Sequence, residues 1–347
     1  MRKLIFPYIY VIVYTLYLSI LFPGCENRPL EDAQEQLGRI PIKIYWDKAE
    51  VLPKNATILF YNENGNLYKE WQSASQSDST VGSIILPPGR YTAVAFNELR
   101  DQINYVHMQD WDKFDTFEAI ALRNLQPVYD FASHIEGNIV VRQPGILSTY
   151  TTTFTVEATS CGCGVYNPTD TNNKALSDLH PTRKTTRVNI IVHIDKLNNA
   201  RMPALAELRN FASGYIFSTD YNTITPVTTQ FTVNNRSYNP QSTTAGTVST
   251  SVNIFGLPGN RFHIGDPPGR KLYLDIAFML ADAEQTIVEY STDITDLIKV
   301  ITDKNDGVII NIEIGIGQLP DIIPVGGGSG FDTELVDWDK VIIPLQQ

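Results

Sequence analysis

Residues Leu86–Asn97 of this chain read LPPGRYTAVAFN, and this stretch decides the fold class. Pro87, Pro88 and Gly89 are residues typical of a tight turn. After the turn, small and aromatic side chains alternate along Arg90–Phe96, as side chains do between the two faces of a pleated strand. The stretch therefore predicts a turn that leads into a β-strand.

The same period of two recurs on both sides of this stretch. Upstream, Ile40, Ile42 and Ile44 share one face of a predicted strand. The runs Ala56–Tyr61 and Leu67–Trp71 are separated by the turn-forming sequence NENGN and predict a hairpin. Further strands are predicted at Gly82–Leu86, Tyr150–Glu157, Thr186–Ile194, Gly214–Ser218, Thr225–Val233, Thr247–Phe255, Lys271–Leu280, Gln285–Tyr290 and Val308–Ile316. Short strands at regular intervals predict an all-β protein made of sandwiches.

One stretch, Met202–Phe211, has a different period. Pro203 is suited to the first turn of a helix, and Leu205, Leu208 and Phe211 recur every three residues. We therefore expect one short helix in an otherwise all-β chain.

The length and the distribution of polar stretches predict two globular domains. The chain has 347 residues, and a domain usually spans roughly 100–200. The segment between residues 159 and 184 is polar, rich in turn residues and aperiodic, which is typical of a connecting loop. We predict sandwiches at residues 39–158 and 185–325, followed at residues 326–347 by a glycine hinge and a final strand.

The N-terminus has the pattern of a secretion signal. Arg2 and Lys3 precede an apolar run from Leu4 to Phe22. The run is about long enough to cross a bilayer, so an uncleaved membrane helix is the alternative. Gly24-Cys25 at the end of the run resembles a lipobox, which implies cleavage after residue 24 and lipidation of Cys25. The polar, acidic residues 25–38 then form a tether.

Composition and motifs exclude several functional classes. A net charge of −11 without a basic run disfavours nucleic-acid binding. The five histidines lack the spacing of a metal site, and the sequence contains no HExxH, GxSxG, phosphate-loop or dinucleotide motif. A carboxylate pair of the glycosidase type stays open, because acidic residues are plentiful. We expect no enzymatic activity, no metal and no cofactor.

Two cysteines and one tryptophan stand out as candidate site residues. Cys161 and Cys163 lie in SCGCG. They are interpreted as a strained disulfide or two free thiols, with a metal clip or redox pair as the alternative. Trp111 lies in the charged, non-alternating stretch Gln109–Asp115. It is equally consistent with a ligand-binding loop and with a loop anchor.

Several of these stretches together resemble a known family. They are Gly24-Cys25, Leu86–Asn97, Asp115–Glu118, Gly326–Phe331 and Val336–Trp338. In this order they resemble the fimbrillin-like lipoproteins of Bacteroidales, which are related to the anchor and minor subunits of type V pili. The resemblance implies two tandem transthyretin-like β-sandwich domains on an outer-membrane lipid anchor, exposed at the cell surface. It also implies a role in fimbrial assembly or adhesion, with other fimbrillin-like subunits as partners.

The resemblance also suggests where processing and strand exchange would occur. Polymerising pilins of this type are cut after Arg or Lys, and Arg39 is the matching candidate. The residues before Arg39 are a polar tether rather than a removable strand. This favours an anchor or accessory subunit over a shaft pilin.

The C-terminal run Leu335–Leu345 has two interpretations. It is either the last strand of its own second domain or a strand donated to a neighbour by β-augmentation. In both cases the apolar residues that would be buried are Trp338, Val341, Ile342, Ile343 and Leu345. The competing function is a stand-alone surface lipoprotein that binds a glycan or host ligand through Trp111.

Overall fold

The structure is a computed structural model. It describes residues 39–323 except 75–76, 104, 126–128, 133–138, 159–163, 166–175, 177, 260–269 and 304–306. The described residues form twenty-two strands in five sheets. Their helices are four 3₁₀ turns, at Arg100–Gln102, Phe114–Thr116, Leu197–Asn199 and Thr295–Leu297.

The strands follow one another along the whole described chain. In the N-terminal half they are β1 (Arg39–Tyr45), β2 (Asn55–Asn62), β3 (Leu67–Ala74), β4 (Ser79–Ile85), β5 (Gly89–Asn97), β6 (Val106–Gln109), β7 (Glu118–Ala121), β8 (Val140–Val141), β9 (Ser148–Ala158), β10 (Gly164–Val165) and β11 (Thr182–Arg183). In the C-terminal half they are β12 (Thr186–Asp195), β13 (Ala204–Ala212), β14 (Gly214–Ile216), β15 (Tyr221–Asn222), β16 (Pro226–Val233), β17 (Asn235–Tyr238), β18 (Gly246–Ile254), β19 (Tyr273–Met279), β20 (Ile287–Asp293), β21 (Lys299–Thr302) and β22 (Val308–Gln318). The predicted all-β sandwich fold is confirmed.

The first sandwich packs a two-stranded sheet, β1–β4, against a six-stranded sheet. The larger sheet has the order β10-β9-β5-β2-β3, with β11 also paired to β9. Ile40, Ile42 and Ile44 of β1 face this sheet and are fully buried. The stretch that predicted the fold becomes β5, which lies between β2 and β9.

The six-stranded sheet is buried on both faces. Ala93 and Ala95 of β5 pack with the β1–β4 sheet, whereas Val94 and Phe96 pack on the opposite side with residues such as Phe117 of the N-terminal half. A strand with two buried faces needs apolar side chains at consecutive positions. This explains why RYTAVAF alternates by size rather than by polarity.

The second sandwich is formed by two five-stranded sheets. One has the order β17-β18-β12-β22-β21 and the other β20-β19-β13-β16-β8. Val188, Ile190 and Val192 of β12 face Ala206 and Leu208 of β13 in one continuous core. The β12 and β22 strands are parallel, whereas the other pairs of the first of these sheets are antiparallel.

The two halves of the chain also share sheets. In the four-stranded sheet β15-β14-β7-β6, the β7 strand of the first half pairs with β14 of the second. The two-residue β8 strand, from the first half, pairs in parallel with β16. The proposed division at residues 39–158 and 185–325 stays a prediction. The structure adds strand pairing across it that the sequence did not predict.

The predicted helix at Met202–Phe211 is wrong, because Ala204–Ala212 forms strand β13. Ala204, Ala206 and Leu208 alternate into the core as strand residues do. The register then shifts between Arg209 and Phe211. At this bulge Asn210 has a φ of +69°, and the extra residue returns Phe211 to the buried side. The bulge produced the three-residue spacing that predicted a helix.

The predicted hairpin between β2 and β3 is confirmed. The Asn62 side-chain oxygen accepts hydrogen bonds from the backbone N–H groups of Asn64 (3.0 Å) and Asn66 (3.1 Å). Gly65 has a φ of +72°, which a residue without Cβ adopts at little cost. Strands β6, β7, β8, β10, β11, β15, β17 and β21 were not predicted.

Candidate functional site

The described residues contain no group of three or more side chains arranged to hold a metal ion. Glu207 and Asp275 form a carboxylate pair on neighbouring strands, and both side chains are fully buried. Asp275 binds the Arg209 guanidinium, with one Nη2–Oδ1 distance of 3.1 Å, and Glu207 accepts a hydrogen bond from Gln230 at 3.3 Å. The Arg209 guanidinium and the surrounding buried side chains leave no room for a sugar at these carboxylates. The pair is therefore a structural ion-pair cluster rather than a glycosidase site.

Sheet edges are therefore the candidate functional surfaces of this molecule. An edge strand exposes unpaired N–H and C=O groups that another extended segment can bind. Two of the edges that combine such groups with apolar side chains facing a core bear on the proposed role. They are the edge of β1 in the first sandwich and the edge of β20 in the second.

The β1 edge is partly blocked by Leu179, which pairs with it, and by Pro41, which lacks an N–H. Tyr45 N–H donates to Leu179 O at 2.7 Å, and Lys43 C=O accepts from Leu179 N–H at 3.2 Å. Because the backbone groups of one residue point to the same side of an antiparallel strand, the odd-numbered residues of β1 point away from β4. Pro41 is one of them and has no N–H to offer at this edge. An incoming strand would find fewer donors here than along an ordinary edge.

The β20 edge carries core residues that are incompletely covered. Seven residues of β20 pair with β19 on one side, and among the described residues no strand pairs with the other side. Val288 and Tyr290 face the core but are only half-buried. The Tyr290 hydroxyl donates to Gln318 O at 3.1 Å, which places the Tyr290 side chain beside the end of β22.

His180 lies next to the β1 edge between two carboxylates. Its Nδ1 is 2.7 Å from Asp47 Oδ1, and its Nε2 is 3.0 Å from Asp178 Oδ1. The imidazole also stacks on Tyr45, with 5.0 Å between ring centroids. Partial burial alone would lower the pKa of His180, but the hydrogen bonds that its imidazole donates to the Asp47 and Asp178 carboxylates outweigh burial and raise the pKa above its ordinary value.

A buried arginine joins the two sandwiches. Arg183 in β11 is 2% exposed and donates to Glu50 of the first sandwich. It also reaches Asp303 Oδ2 at 3.4 Å and Val308 O at 3.0 Å in the second. Burial lowers the pKa of Arg183 and Asp303 opposes this, and the guanidinium stays charged at neutral pH.

A second polar contact at the junction involves Lys184. Its Nζ lies 2.7 Å from Asp220 Oδ1, and the Tyr215 hydroxyl donates to the same oxygen at 2.5 Å. Asp220 has a φ of +59°, a conformation that Asp tolerates better than most residues. The sequence did not single out Arg183, Lys184 or His180. Their partners are distant along the chain, so no local pattern marks them.

The Trp111 side chain is half-buried and lies at the edge of the core on the outer face of the six-stranded sheet. It packs against the cluster that contains Phe117 and Tyr215, and its carbonyl accepts a hydrogen bond from the Tyr61 hydroxyl at 2.8 Å. The Arg100 guanidinium lies 3.9 Å from the centroid of its ring. One face of the indole is therefore already stacked by a cation.

The other predicted site residues are placed only in part. Arg39 is the first residue of β1 and pairs with Ile85 of β4. Outside the described residues lie Cys25, Cys161, Cys163, Trp338, Val341, Ile342, Ile343 and Leu345. Within the described part of the chain, no helix is long and apolar enough to span a bilayer.

Residues 24–232 match the model of a protein family described as "Domain of unknown function (DUF5119)". The match covers more than half of the sequence. This chain belongs to the DUF5119 family.

Individual proteins that this chain resembles come from Bacteroides and Porphyromonas species. Over 101 residues the chain is 29% identical to a Bacteroides ovatus protein named as fimbrium anchoring subunit Fim4B, a match that covers 29% of this chain and 28% of that relative. The chain thus spans less than a third of the length of this curated relative.

Among solved structures, a Bacteroides ovatus protein described as an adhesin matches with a TM-score of 0.51 at 15% identity. The match covers 87% of this chain and 99% of the adhesin, and it shows that the two share a fold. The fimbrial anchor protein Mfa2 of Porphyromonas gingivalis gives a TM-score of 0.37 at 12% identity, over 79% of this chain and 95% of Mfa2. The resemblance to fimbrillin-like surface proteins is confirmed.

Proposed function

We propose that this DUF5119 protein is a fimbrial or adhesin-type cell-surface protein that acts as an anchor or accessory subunit and binds its partner by β-strand addition. The observation that carries the proposal is the edge of β20, with which no strand of the described residues pairs and at which Val288 and Tyr290 of the core stay half-buried. An added strand would pair with this backbone and cover these side chains. The names of the relatives, a fimbrium anchoring subunit and an adhesin, support the same role.

Lipid anchoring through Cys25 is part of the proposal. The apolar run that ends at Gly24-Cys25 supports it, together with the polar tether before β1. Stable attachment needs more than one acyl chain, because each buried methylene contributes about 0.8 kcal/mol. We expect Cys25→Ser to release the protein from the membrane fraction, as judged by immunoblotting of fractionated cells.

The C-terminal residues 331–347 are proposed to supply a strand. They follow residues 319–321, which contact the connection between β12 and β13: Leu319 N–H donates to Asp195 O at 3.0 Å, and Asn199 Nδ2 donates to Pro320 O at 2.7 Å. The strand then either completes its own sandwich or enters a neighbouring subunit. Deletion of residues 331–347 separates these alternatives, since a donated strand can be removed without loss of the folded monomer.

Crosslinking in the native cell envelope tests the partner. We expect Lys340 to crosslink to another fimbrillin-like subunit, identified by mass spectrometry. A protein that is recovered alone, with Lys340 linked only to its own second sandwich, would contradict a fimbrial role and leave a stand-alone surface protein. Proteolysis after Arg39 is expected to detach the protein from its lipid anchor, because β1 begins at this residue.

A further inference from the structure

Residues 178–180 occupy part of the β1 edge in the manner of a short added strand. Leu179 exchanges both backbone hydrogen bonds with β1, to Tyr45 and Lys43, in a parallel bridge opposite Ile44. Its side chain is fully buried in the first core. An added strand would need free backbone groups of β1 and a pocket for its side chain. Leu179 already occupies both.

His180 binds Asp47 across from the segment and Asp178 within it, and only the charged imidazole can donate both hydrogen bonds at once. Asp47, directly after β1, and Asp178 each place a carboxylate oxygen within 3.0 Å of one ring nitrogen. A neutral imidazole has one N–H, whereas the imidazolium has two. Hydrogen bonds between a cation and a carboxylate are also stronger than neutral ones. Protonation thus strengthens the hydrogen bond to Asp47, which joins the segment to the β1 side, while Asp178, a residue of the segment itself, holds the ring in place.

The other groups around His180 do not cancel the preference for the charged imidazole. Tyr45 stacks flat against the imidazole, with 10° between the ring planes. Lys43 lies over the Tyr45 ring, 4.4 Å from its centroid, and it is the positive charge on β1 that faces this cluster. Two carboxylates against one lysine leave the site with a net preference for a charged imidazole.

We propose that residues 178–180 form a latch that covers the β1 edge, and that protonated His180 holds this latch closed. The role of the edge rests on the proposed function in strand addition. With the latch open, Lys43 and Tyr45 recover backbone groups for pairing, and the pocket of Leu179 becomes available to an extended apolar segment. With the latch closed, this part of the edge is protected.

The pH dependence follows from the raised pKa of His180. A group whose pKa is higher in the closed state contributes its full stabilisation below its ordinary pKa of about 6.5 and loses it as the pH rises through the raised value. The latch is therefore most firmly closed in mildly acidic solution and opens more often in alkaline solution.

Amide hydrogen exchange of the full chain tests the latch directly. The protection factors of the Tyr45 and Leu179 amides, corrected for intrinsic exchange, are compared at about pH 5.5 and about pH 8.5. We expect roughly tenfold lower protection at the higher pH, the effect of losing one charge-assisted hydrogen bond. The Trp46 amide, which donates to Asp78 O at 2.8 Å, is the internal control and keeps its protection.

Variants separate His180 from other titrating groups. In His180→Gln the protection at Tyr45 and Leu179 is low and independent of pH, whereas His193→Gln, which changes a surface histidine paired with Glu313 at 2.9 Å, leaves the wild-type pH dependence intact. Equal protection at both pH values in the wild type, or a pH dependence that survives in His180→Gln, would overturn the latch.

A peptide experiment separates the latch itself from strand addition at the β1 edge, independently of the β20 edge. The probe is a synthetic peptide of residues 335–347 with a photo-crosslinker, offered to wild type and His180→Gln. More crosslinking to β1 in His180→Gln supports an edge that the latch guards. Exchange that follows the prediction without any crosslinking to β1 upholds the latch and contradicts strand addition at this edge.

Discussion

At the scale of single residues, Arg183 shows how one buried charge joins two sandwiches. Its guanidinium contacts Glu50 and Asp303 from opposite halves of the chain and donates to Val308 O. Removing a buried partner leaves the remaining charges without compensation. The residue is therefore more important to the junction than any exposed ion pair of the molecule.

We expect Arg183→Ala to lower the free energy of unfolding by about 3 kcal/mol, measured by urea denaturation. Arg187→Ala is the matched control, because Arg187 contacts the same Glu50 but is 32% exposed. Its loss should cost less than about 1 kcal/mol. Equal effects of the two substitutions would contradict the special role of the buried guanidinium.

Trp111 is the residue on which the competing function depends. If its indole binds a glycan, Trp111→Ala abolishes glycan binding on an array while the wild type binds. If it anchors its loop between Arg100 and the core, the substitution instead lowers the free energy of unfolding, by about 2 kcal/mol. We expect the second result, because one face of the ring is already stacked by Arg100 and the side chain packs against the core cluster that contains Phe117.

At the scale of elements, the bulge in β13 explains why the sequence of Met202–Phe211 predicts a helix although the stretch forms a strand. Asn210 has a positive φ of +69°, and its side-chain amide donates to Lys271 O at 2.7 Å. Both features favour Asn over residues with an apolar side chain. The apolar residues recur every three positions because Asn210 is the extra residue of the bulge. The sequence alone does not distinguish this spacing from a helical period.

We expect Asn210→Ala to destabilise the fold by about 1–2 kcal/mol, through backbone strain and the lost hydrogen bond. Asn210→Gly keeps the positive φ without strain and should cost less. Thermal or urea unfolding of both variants measures the difference. A larger loss in Asn210→Gly than in Asn210→Ala would show that φ does not determine the choice of residue.

At the scale of the whole molecule, the two sandwiches are connected by far more than a linker. The pairing of β7 with β14, the pairing of β8 with β16 and the contacts of Arg183 all link the two halves. The core on the outer face of the six-stranded sheet also combines residues of both, such as Phe117 and Phe217, whose rings stack at 3.9 Å. Interfaces that share a core resist independent motion of their domains.

We therefore expect the chain to unfold in one cooperative transition in differential scanning calorimetry, with equal calorimetric and van't Hoff enthalpies. Arg183→Ala should lower the transition temperature of the whole chain without splitting the peak. Two separate transitions in the wild type would contradict the coupling and would support two independent domains.

The sequence by itself determined the all-β class, the β2–β3 hairpin and the positions of most long strands, because alternation and turn residues act over a few neighbouring positions. Only the tertiary structure decided that the central sheet is buried on both faces, that β13 contains a bulge and that β7 pairs with β14. It also decided which charges meet, since His180 and Asp47 are 133 residues apart, as are Arg183 and Glu50. Such contacts depend on how sheets pack in space, which no local period encodes.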